Sequence, residues 1–325
     1  MLGRRSDAAS AGILGVVARD SASEFQAQRT RLFGLAYRLL GSAEDAEDVV
    51  QDAFLRWDGA DRSAITTSSA WLAKVVTNLS LNRLTSARAR RERYVGPWLP
   101  EPVLTSEGAL GPMELAERRE SVSLGLLMLM EQLTPTERAV FILREAFGYS
   151  HREVAELVGV SEASSRQLHR RARQQIPPRR TDDAVGVHGV DRVRWQRLVD
   201  RFLRAAQVGD LAGLEELLSA EVTVWADGGG AATAARRPVE GRARVARYLV
   251  GALAKFGAAV RVERAEVNGC PALLGWSGTV LLGVLIPAVD DDRITAVHII
   301  ANPDKLRFAA RQAAGLSRSE GPPGS

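Results

Sequence analysis

Hydrophobic residues recur at helical spacing through the first third of the chain. A first stripe ends at Gly41 and consists of Phe25, Leu32, Leu35, Ala36 and Leu39. Ser42 and Asp45 fit a capping box that begins a second helix, whose apolar side is Ala46, Val49, Val50, Ala53, Phe54 and Trp57. After a loop at residues 59–69, a third stripe is predicted at Trp71, Leu72, Val75, Val76 and Leu79. These patterns predict a bundle of amphipathic helices.

A second helical region begins near residue 121. Thr134, Pro135 and Glu137 supply the capping signals of a helix that is predicted to run to Phe147 and end at Gly148. A second capping box, at Ser150 and Glu153, begins a short helix, and a glycine-containing turn at 159–161 leads into another helix at 162–175. Two short helices joined by a tight turn predict a helix-turn-helix, in which the second helix enters the DNA major groove.

The last 130 residues have a different pattern. Helices are predicted at 195–208, 211–218 and 242–256, and strands at 221–225, 260–267, 279–286 and 294–300. The predicted organisation is a helical bundle at 24–93, a linker at 94–120, a helix-turn-helix domain at 121–176, a linker at 177–191, an α+β domain at 192–312, and disordered tails at 1–23 and 313–325. The fold class is therefore multidomain, with two all-α domains and one α+β domain.

Composition narrows the possible functions. The 325 residues suffice for two or three domains, and because no apolar run approaches about 20 residues, no membrane helix is expected. The single cysteine, Cys270, favours a reducing, cytoplasmic setting. No cysteine or histidine cluster suggests a metal, and the glycine run at 228–230 lacks the Gly-Lys-Ser/Thr ending of a phosphate loop. No metal or cofactor is expected.

Charge is distributed unevenly along the predicted helices. The second helix carries Glu44, Asp45, Glu47, Asp48 and Asp52 opposite its apolar stripe. Five arginines and one acid lie between Arg83 and Arg93, next to Asn78 and Asn82. Because carboxylates repel DNA, the acidic helix predicts a basic protein partner, whereas the third helix predicts a nucleic-acid surface separate from it.

The run from Ala36 to Asp52, the segment from Ala70 to Arg83, and the segment from Leu133 to Arg173 together resemble bacterial RNA polymerase sigma factors of the extracytoplasmic-function group. The resemblance implies binding to core RNA polymerase, at the β′ clamp helices and the β flap, and to promoter DNA. The residues that inherit β′ binding are Asp45, Asp48, Gln51 and Asp52. The residues implied for the minus-ten element, with loop 61–69, are Ser68, Ser69, Asn78, Asn82 and Arg83. Those implied for the minus-thirty-five element are Ser165, Arg166, Arg170, Arg171 and Arg173.

Three further motifs resemble those of SigJ-like sigma factors, a branch with a C-terminal SnoaL-like domain of cone-shaped α+β form. They are Trp98-Leu99-Pro100-Glu101-Pro102, Asp227-Gly228-Gly229-Gly230 and Asn302-Pro303-Asp304-Lys305-Leu306. The resemblance implies that this domain regulates the sigma domains in cis through these motifs. No separate anti-sigma factor is required, although the sequence leaves its existence open. The chain departs from the branch at Ala231, where lysine is common.

The residues leave two other functional classes possible, a stand-alone transcription regulator and an enzyme. A stand-alone transcription regulator with a ligand-sensing SnoaL-like domain would not need the acidic helix for polymerase binding. An enzyme would place Trp225, Asp227, His298 and Asp304 around a reactive pocket, but fold analogy supplies no chemistry. The sequence therefore favours a sigma factor and no enzymatic activity.

Overall fold

The computed structural model describes residues 6–91, 94–105, 123–176, 192–256, 260–290 and 292–319. For residues 6–21, 87–91, 192, 256 and 317–319 it describes the backbone alone. The predicted linker at 177–191, the linker residues 106–120 and the arginine side chains of 88–93 therefore lie outside the described part. The chain divides into two compact units, one comprising Met1–Ala87 with Thr134–Ala172 and the other Arg88–Leu133 with Arg173–Ser325.

The described residues form helices and strands in both units. The helices are α1 (Ser6–Leu40), α2 (Ala43–Asp58), α3 (Ser68–Arg91), α4 (Leu124–Met130), α5 (Pro135–Glu145), α6 (His151–Val158), α7 (Glu162–Gln175), α8 (Arg192–Val208), α9 (Leu211–Leu217), α10 (Arg242–Phe256) and α11 (Pro303–Ser319). The strands are β1 (Leu218–Asp227), β2 (Val239–Glu240), β3 (Arg261–Val267), β4 (Cys270–Ser277), β5 (Val280–Asp290) and β6 (Arg293–Ile300). In the part of the chain so described, no helix has the length and apolar character that crossing a membrane requires.

Helix α2 begins where the sequence predicts, because the Ser42 hydroxyl accepts a hydrogen bond of 3.1 Å from the Asp45 amide. The described parts of both predicted tails are helical. Helix α1 begins at Ser6, within an alanine-rich segment that favours helix, and α11 continues to Ser319.

The buried side of α3 is rotated from the predicted stripe. Trp71, Val75 and Leu79 are only half-buried, whereas the buried positions are Leu72, Ala73, Val76, Thr77, Ser80 and Leu84. The buried side therefore includes the hydroxyl groups of Thr77 and Ser80. A search for apolar residues alone overlooks these positions.

The first unit is held together by a contact between α1 and α5. Arg138 is 2% exposed, and its Nε and Nη2 atoms donate hydrogen bonds of 3.1 and 3.0 Å to the Arg38 carbonyl. Arg31 donates to the Tyr149 hydroxyl at 2.8 Å. A buried guanidinium needs such acceptors to offset its desolvation, so these arginines act structurally within this unit.

Both predicted capping boxes are present in the helix-turn-helix region. Thr134 and Glu137 cap α5, and Ser150 and Glu153 cap α6, each exchanging side-chain and backbone hydrogen bonds. Helix α6 ends at Gly159, whose φ of 79° lies in the left-handed region that glycine adopts without strain. The one difference is that α5 ends at Glu145 rather than Phe147.

The second unit is built on a six-stranded mixed sheet with the order β2-β1-β6-β5-β4-β3. Strands β1 and β6 are parallel, and the other neighbours are antiparallel. Residues of α8, α9 and α10 form one core with one face of the sheet, and α4, α11 and part of the first linker form another with the opposite face. This confirms the predicted fold class of two helical regions and a C-terminal α+β domain.

Candidate functional site

The acidic residues of α2 lie on its outer side. Its apolar stripe is buried at Ala43, Ala46, Val49, Val50, Ala53 and Trp57. By contrast, the Asp48 and Asp52 side chains are 65% and 45% exposed, and Gln51 is also exposed. Leu55, one turn beyond Gln51, is 62% exposed and adds an apolar side chain to this surface that charge patterning did not identify. We call Asp45, Asp48, Gln51, Asp52 and Leu55 the acidic surface.

Arg83 contradicts the expected separation of the two charged surfaces. Its Nη2 atom is 3.0 Å from Asp52 Oδ2 and its Nη1 atom 3.3 Å from Asp48 Oδ2. The same Nη1 donates a hydrogen bond of 3.1 Å to the Asp45 carbonyl. The arginine belongs to α3 but is paired with α2, because the guanidinium spans the gap between the two helices. The charges do lie on different helices, but the prediction that the basic surface of α3 is separate from the acidic surface of α2 is wrong at Arg83.

The rest of the predicted minus-ten surface is accessible. Asn78 and Asn82 are exposed together with Lys74, one helical turn apart along α3. Ser68 and Ser69 are half-buried at the start of the same helix. The preceding loop contains a short 3₁₀ turn that Asp61 caps, and the hydrogen bonds from Ser63 lower the pKa of the Asp61 carboxyl.

The second helix of the helix-turn-helix, α7, presents four arginines to solvent, namely Arg166, Arg170, Arg171 and Arg173. Arg166 also pairs with Glu162, four residues earlier on the same helix. Ser165 differs from the prediction, because it is fully buried and its hydroxyl lies 3.0 Å from His151 Nδ1. It joins α6 to α7 and does not present a group to DNA in this structure.

His151 and His169 lie next to each other between the helices, with ring centroids 5.4 Å apart. His169 Nε2 is 2.7 Å from Glu145 Oε1. Burial, with the nearby Arg144, His169 and Arg166, lowers the pKa of His151. The neutral imidazole is therefore favoured beside Ser165, where it links α6 to α7.

The motifs of the second unit meet around one buried ion pair. Lys305 Nζ is 2.6 Å from Asp227 Oδ2, and the two side chains are 7% and 0% exposed. The Leu99 amide donates to the same carboxylate at 2.8 Å, and the Lys305 ammonium donates to the Leu99 carbonyl at 2.5 Å. The ammonium also lies 4.1 Å from the centre of the Trp98 ring. We call this arrangement the linker clasp, since it ties the first linker to the C-terminal domain.

Tyr94 belongs to the linker clasp although no sequence motif pointed to it. Its hydroxyl lies 2.5 Å from Asp227 Oδ1 and accepts a hydrogen bond of 2.7 Å from Asn302 Nδ2. Burial and the adjacent Asp227 carboxylate raise the pKa of this hydroxyl, so it remains a proton donor. Gly229 is required here because an added Cβ would lie 2.2 Å from Asn302 Nδ2.

Beyond the linker clasp, the linker follows the end of strand β3. The Thr105 amide donates to the Glu266 carbonyl, and the Asn268 amide donates to the Val103 carbonyl, both at 2.9 Å. The five residues of 101–105 are all buried. This part of the linker is therefore packed against the C-terminal domain.

The remaining residues of the predicted motifs have different environments. Pro100, Glu101, Pro102 and Leu306 are buried, whereas Pro303 and Asp304 are exposed and Asp304 pairs with Arg307. The Ala231 amide donates to the Gly228 carbonyl at 3.0 Å. The cation paired with Asp227 is Lys305, from the third motif.

The four residues of the enzyme hypothesis have different surroundings in the described part of the chain. Asp227 is occupied by the linker clasp, and the His298 ring stacks on Trp225 with centroids 5.1 Å apart. A cavity of about 120 Å³ between the sheet and helices α8 and α10 is lined by apolar residues such as Leu203, Leu253 and Leu285, and by none of these four. Within the described residues, no group of histidine, cysteine and acidic side chains could hold a metal ion.

His298 gives a testable pH dependence. Burial lowers its pKa from 6.5 to about 4, so the folded chain holds it neutral while the unfolded chain takes up a proton below pH 6.5. Its contribution to stability is present above pH 6.5 and is lost as the pH falls, and we expect this one residue to lower the free energy of unfolding of the second unit by about 2 kcal/mol between pH 7 and pH 5. Denaturant titrations of the wild type and His298→Gln at both pH values measure this difference. Equal pH dependence in both proteins would contradict it.

Comparison with known proteins agrees with this arrangement. Residues 25–90 match the model of Sigma-70 region 2, and residues 123–176 match the model of Sigma-70, region 4. The chain is 38% identical over 293 residues to the ECF RNA polymerase sigma factor SigJ of Mycobacterium tuberculosis, covering 87% of this chain and 92% of that protein. It is 32% identical over 287 residues to the probable sigma factor SigI of the same organism, covering 87% and 93%.

A solved structure extends the comparison to the whole fold. The crystal structure of Mycobacterium tuberculosis SigJ superposes with a TM-score of 0.68 at 34% identity, covering 88% of this chain and 98% of that one. The similarity therefore includes the C-terminal α+β domain as well as the two helical regions. The chain belongs to the extracytoplasmic-function (ECF) family of RNA polymerase sigma factors.

Proposed function

We propose that this sigma factor divides its work between separate surfaces. The acidic surface of α2 binds the β′ clamp helices of core RNA polymerase, the exposed face of α3 with loop 61–69 binds the minus-ten element, and α7 binds the minus-thirty-five element while its domain contacts the β flap. The observation that carries this proposal is the exposure of Asp48 and Asp52 on the side of α2 opposite its buried stripe. The family is a non-enzymatic class of transcription factor, and the chain acts in promoter recognition and transcription initiation.

The arginines of α7 are assigned to minus-thirty-five DNA. Arg166 and Arg170 lie four residues apart, so they project from one side of the helix. A base contact through a guanidinium discriminates by about 1–3 kcal/mol, whereas a phosphate contact contributes mainly through salt-dependent charge neutralisation. Ser165 is not part of this proposal because it is buried.

Replacing Arg166 or Arg170 by alanine tests the assignment. We expect either change to weaken holoenzyme binding to a minus-thirty-five duplex by about 5- to 100-fold, and a base-contacting arginine also to relax sequence preference at one position. Fluorescence anisotropy with a promoter duplex and a shuffled duplex measures both effects. Arg152→Ala, an exposed arginine of α6, is the matched control. Losses no larger than those of the control would remove α7 from the proposed DNA surface.

The C-terminal domain is proposed to regulate the sigma domains in cis through the linker clasp. Residues 94–105 lie in the chain between the two promoter-reading segments, and the domain holds them by the Asp227–Lys305 pair and by hydrogen bonds to Glu266 and Asn268. Holding the linker shortens the free tether available to those segments. Regulation then requires no separate protein, because the regulatory domain is covalently attached.

Opening the clasp should therefore change transcription. We expect Trp98→Ala, which removes the ring beside the Lys305 ammonium, to increase hydrogen exchange at residues 99–105 and to alter promoter-specific RNA synthesis by the holoenzyme. Arg261, an exposed residue at the start of β3, supplies a control as Arg261→Ala. Faster exchange with unchanged RNA synthesis would contradict regulation through the linker. It would still agree with the role of the clasp in holding residues 99–105.

A further inference from the structure

Arg83 is shared by the two surfaces that the proposed function keeps apart. The residue lies beside Asn82 on the helix assigned to minus-ten DNA, yet its guanidinium contacts Asp48 and Asp52 of the acidic surface at 3.3 and 3.0 Å. A further hydrogen bond of 3.1 Å goes to the Asp45 carbonyl. We call these four residues the Arg83 cluster. The side chain of Arg83 is only 28% exposed, so its charged end is largely covered by its partners.

The paired guanidinium is not free for a nucleic acid. An arginine binds phosphate or a base edge through its planar fork of N–H donors, and both terminal nitrogens of Arg83 are directed to oxygen atoms of α2. The carboxylates, however, remain more exposed than the arginine. A cationic partner can therefore approach Asp48 and Asp52 from solvent and compete with Arg83 for them.

We propose that the Arg83 cluster couples polymerase binding to minus-ten DNA binding. In the free chain the carboxylates hold Arg83 away from DNA, and the basic side chains of the polymerase take over Asp48 and Asp52, which releases Arg83 to a phosphate of the promoter strand. Coupling of this kind is reciprocal, so bound DNA also strengthens polymerase binding. The inference rests on the proposed function, since it needs both surfaces, but it adds a specific residue that links them.

The expected size of the coupling follows from the partial solvent exposure of the ion pairs that Arg83 makes with Asp48 and Asp52. Ion pairs with partial solvent exposure are individually weak, so release of Arg83 is expected to change DNA affinity by about three- to tenfold. One additional phosphate contact also steepens the dependence of log affinity on log salt by about 0.7 for single-stranded DNA. Removing a carboxylate from the protein surface also tightens DNA binding by reducing charge repulsion, whether or not Arg83 is present. A double-mutant cycle separates this charge effect from the release of Arg83.

The experiment measures binding of the free, full-length chain to a fluorescent single-stranded oligonucleotide carrying the non-template minus-ten element of a promoter that the holoenzyme uses. The proteins are the wild type, Asp52→Asn, Arg83→Gln and the double variant. Asp58→Asn removes one carboxylate from an exposed position at the end of the same helix and is the charge-matched control. We expect Asp52→Asn to tighten binding about three- to tenfold beyond the control, with the steeper salt dependence. In the Arg83→Gln background, Asp52→Asn should have no more effect than the control.

The outcomes separate the coupling from the proposed function. Equal tightening by Asp52→Asn with and without Arg83 would overturn the coupling and show a general charge effect. No tightening by Asp52→Asn, while Asn78→Ala and Asn82→Ala still weaken binding, would overturn the coupling alone. If neither asparagine change alters binding, the assigned minus-ten surface fails, and the coupling fails with it.

Discussion

Replacing Asp227 by alanine is expected to loosen the linker and destabilise the second unit by about 3–5 kcal/mol, because the substitution leaves the Lys305 ammonium buried without its counter-charge. The same change removes the acceptors of the Leu99 amide and the Tyr94 hydroxyl. Native-state hydrogen exchange of the full chain should show the loss at residues 99–105 and in β1. Lys305→Ala should have an effect of similar size, since it leaves the Asp227 carboxylate buried without its counter-charge.

A double variant separates the ion pair from simple packing. Asp227→Leu with Lys305→Met removes both charges together, so it should restore part of the stability lost in either single alanine variant. Glu216→Ala is the control for a solvent-exposed pair, since Glu216 lies 3.9 Å from Arg201 with both side chains largely exposed, and it should cost less than about 1 kcal/mol. If Asp227→Ala costs no more than Glu216→Ala, the linker clasp does not hold the linker.

Reversing the charge of both Asp48 and Asp52 to arginine is expected to weaken core polymerase binding by at least about 30-fold, because like charges opposed across an interface cost several kcal/mol. Both positions lie opposite the buried stripe of α2, so the core of the bundle is unchanged, while the ion pairs with Arg83 are lost. Equilibrium binding of the labelled full chain to core enzyme at two salt concentrations measures the effect. Asp58→Arg reverses one charge on another side of the same helix and should change affinity much less.

Local sequence signals predicted the helices well where capping chemistry is specific. The pairs Ser150 with Glu153 and Thr134 with Glu137 place the start of α6 and α5 correctly, because such caps depend on residues three positions apart. Strand β4 was not predicted. Its alternation is interrupted by Pro271 and Gly275, and its place in the sheet depends on β3 and β5 on either side.

The sequence predicts the functional surfaces where they depend on helical periodicity or on a short motif. Exposed carboxylates on α2 and exposed arginines on α7 follow from helical periodicity alone. The pairing of Arg83 with Asp52, 31 residues earlier, depends on how two helices cross, and so does the burial of Ser165 against His151. Tyr94 joins Asp227 across 133 residues, a contact that no local pattern encodes.

Promoter-specific transcription with purified core polymerase tests the central division between a polymerase surface and promoter surfaces most directly. The template is a promoter fragment that the holoenzyme selects from genomic DNA, and the proteins are the full chain, the double reversal at Asp48 and Asp52, and Asp58→Arg. We expect specific RNA with the full chain and with Asp58→Arg, and loss of that RNA with the double reversal, restored in part at a large excess of the variant. Undiminished specific RNA from the double reversal at limiting protein would contradict the account.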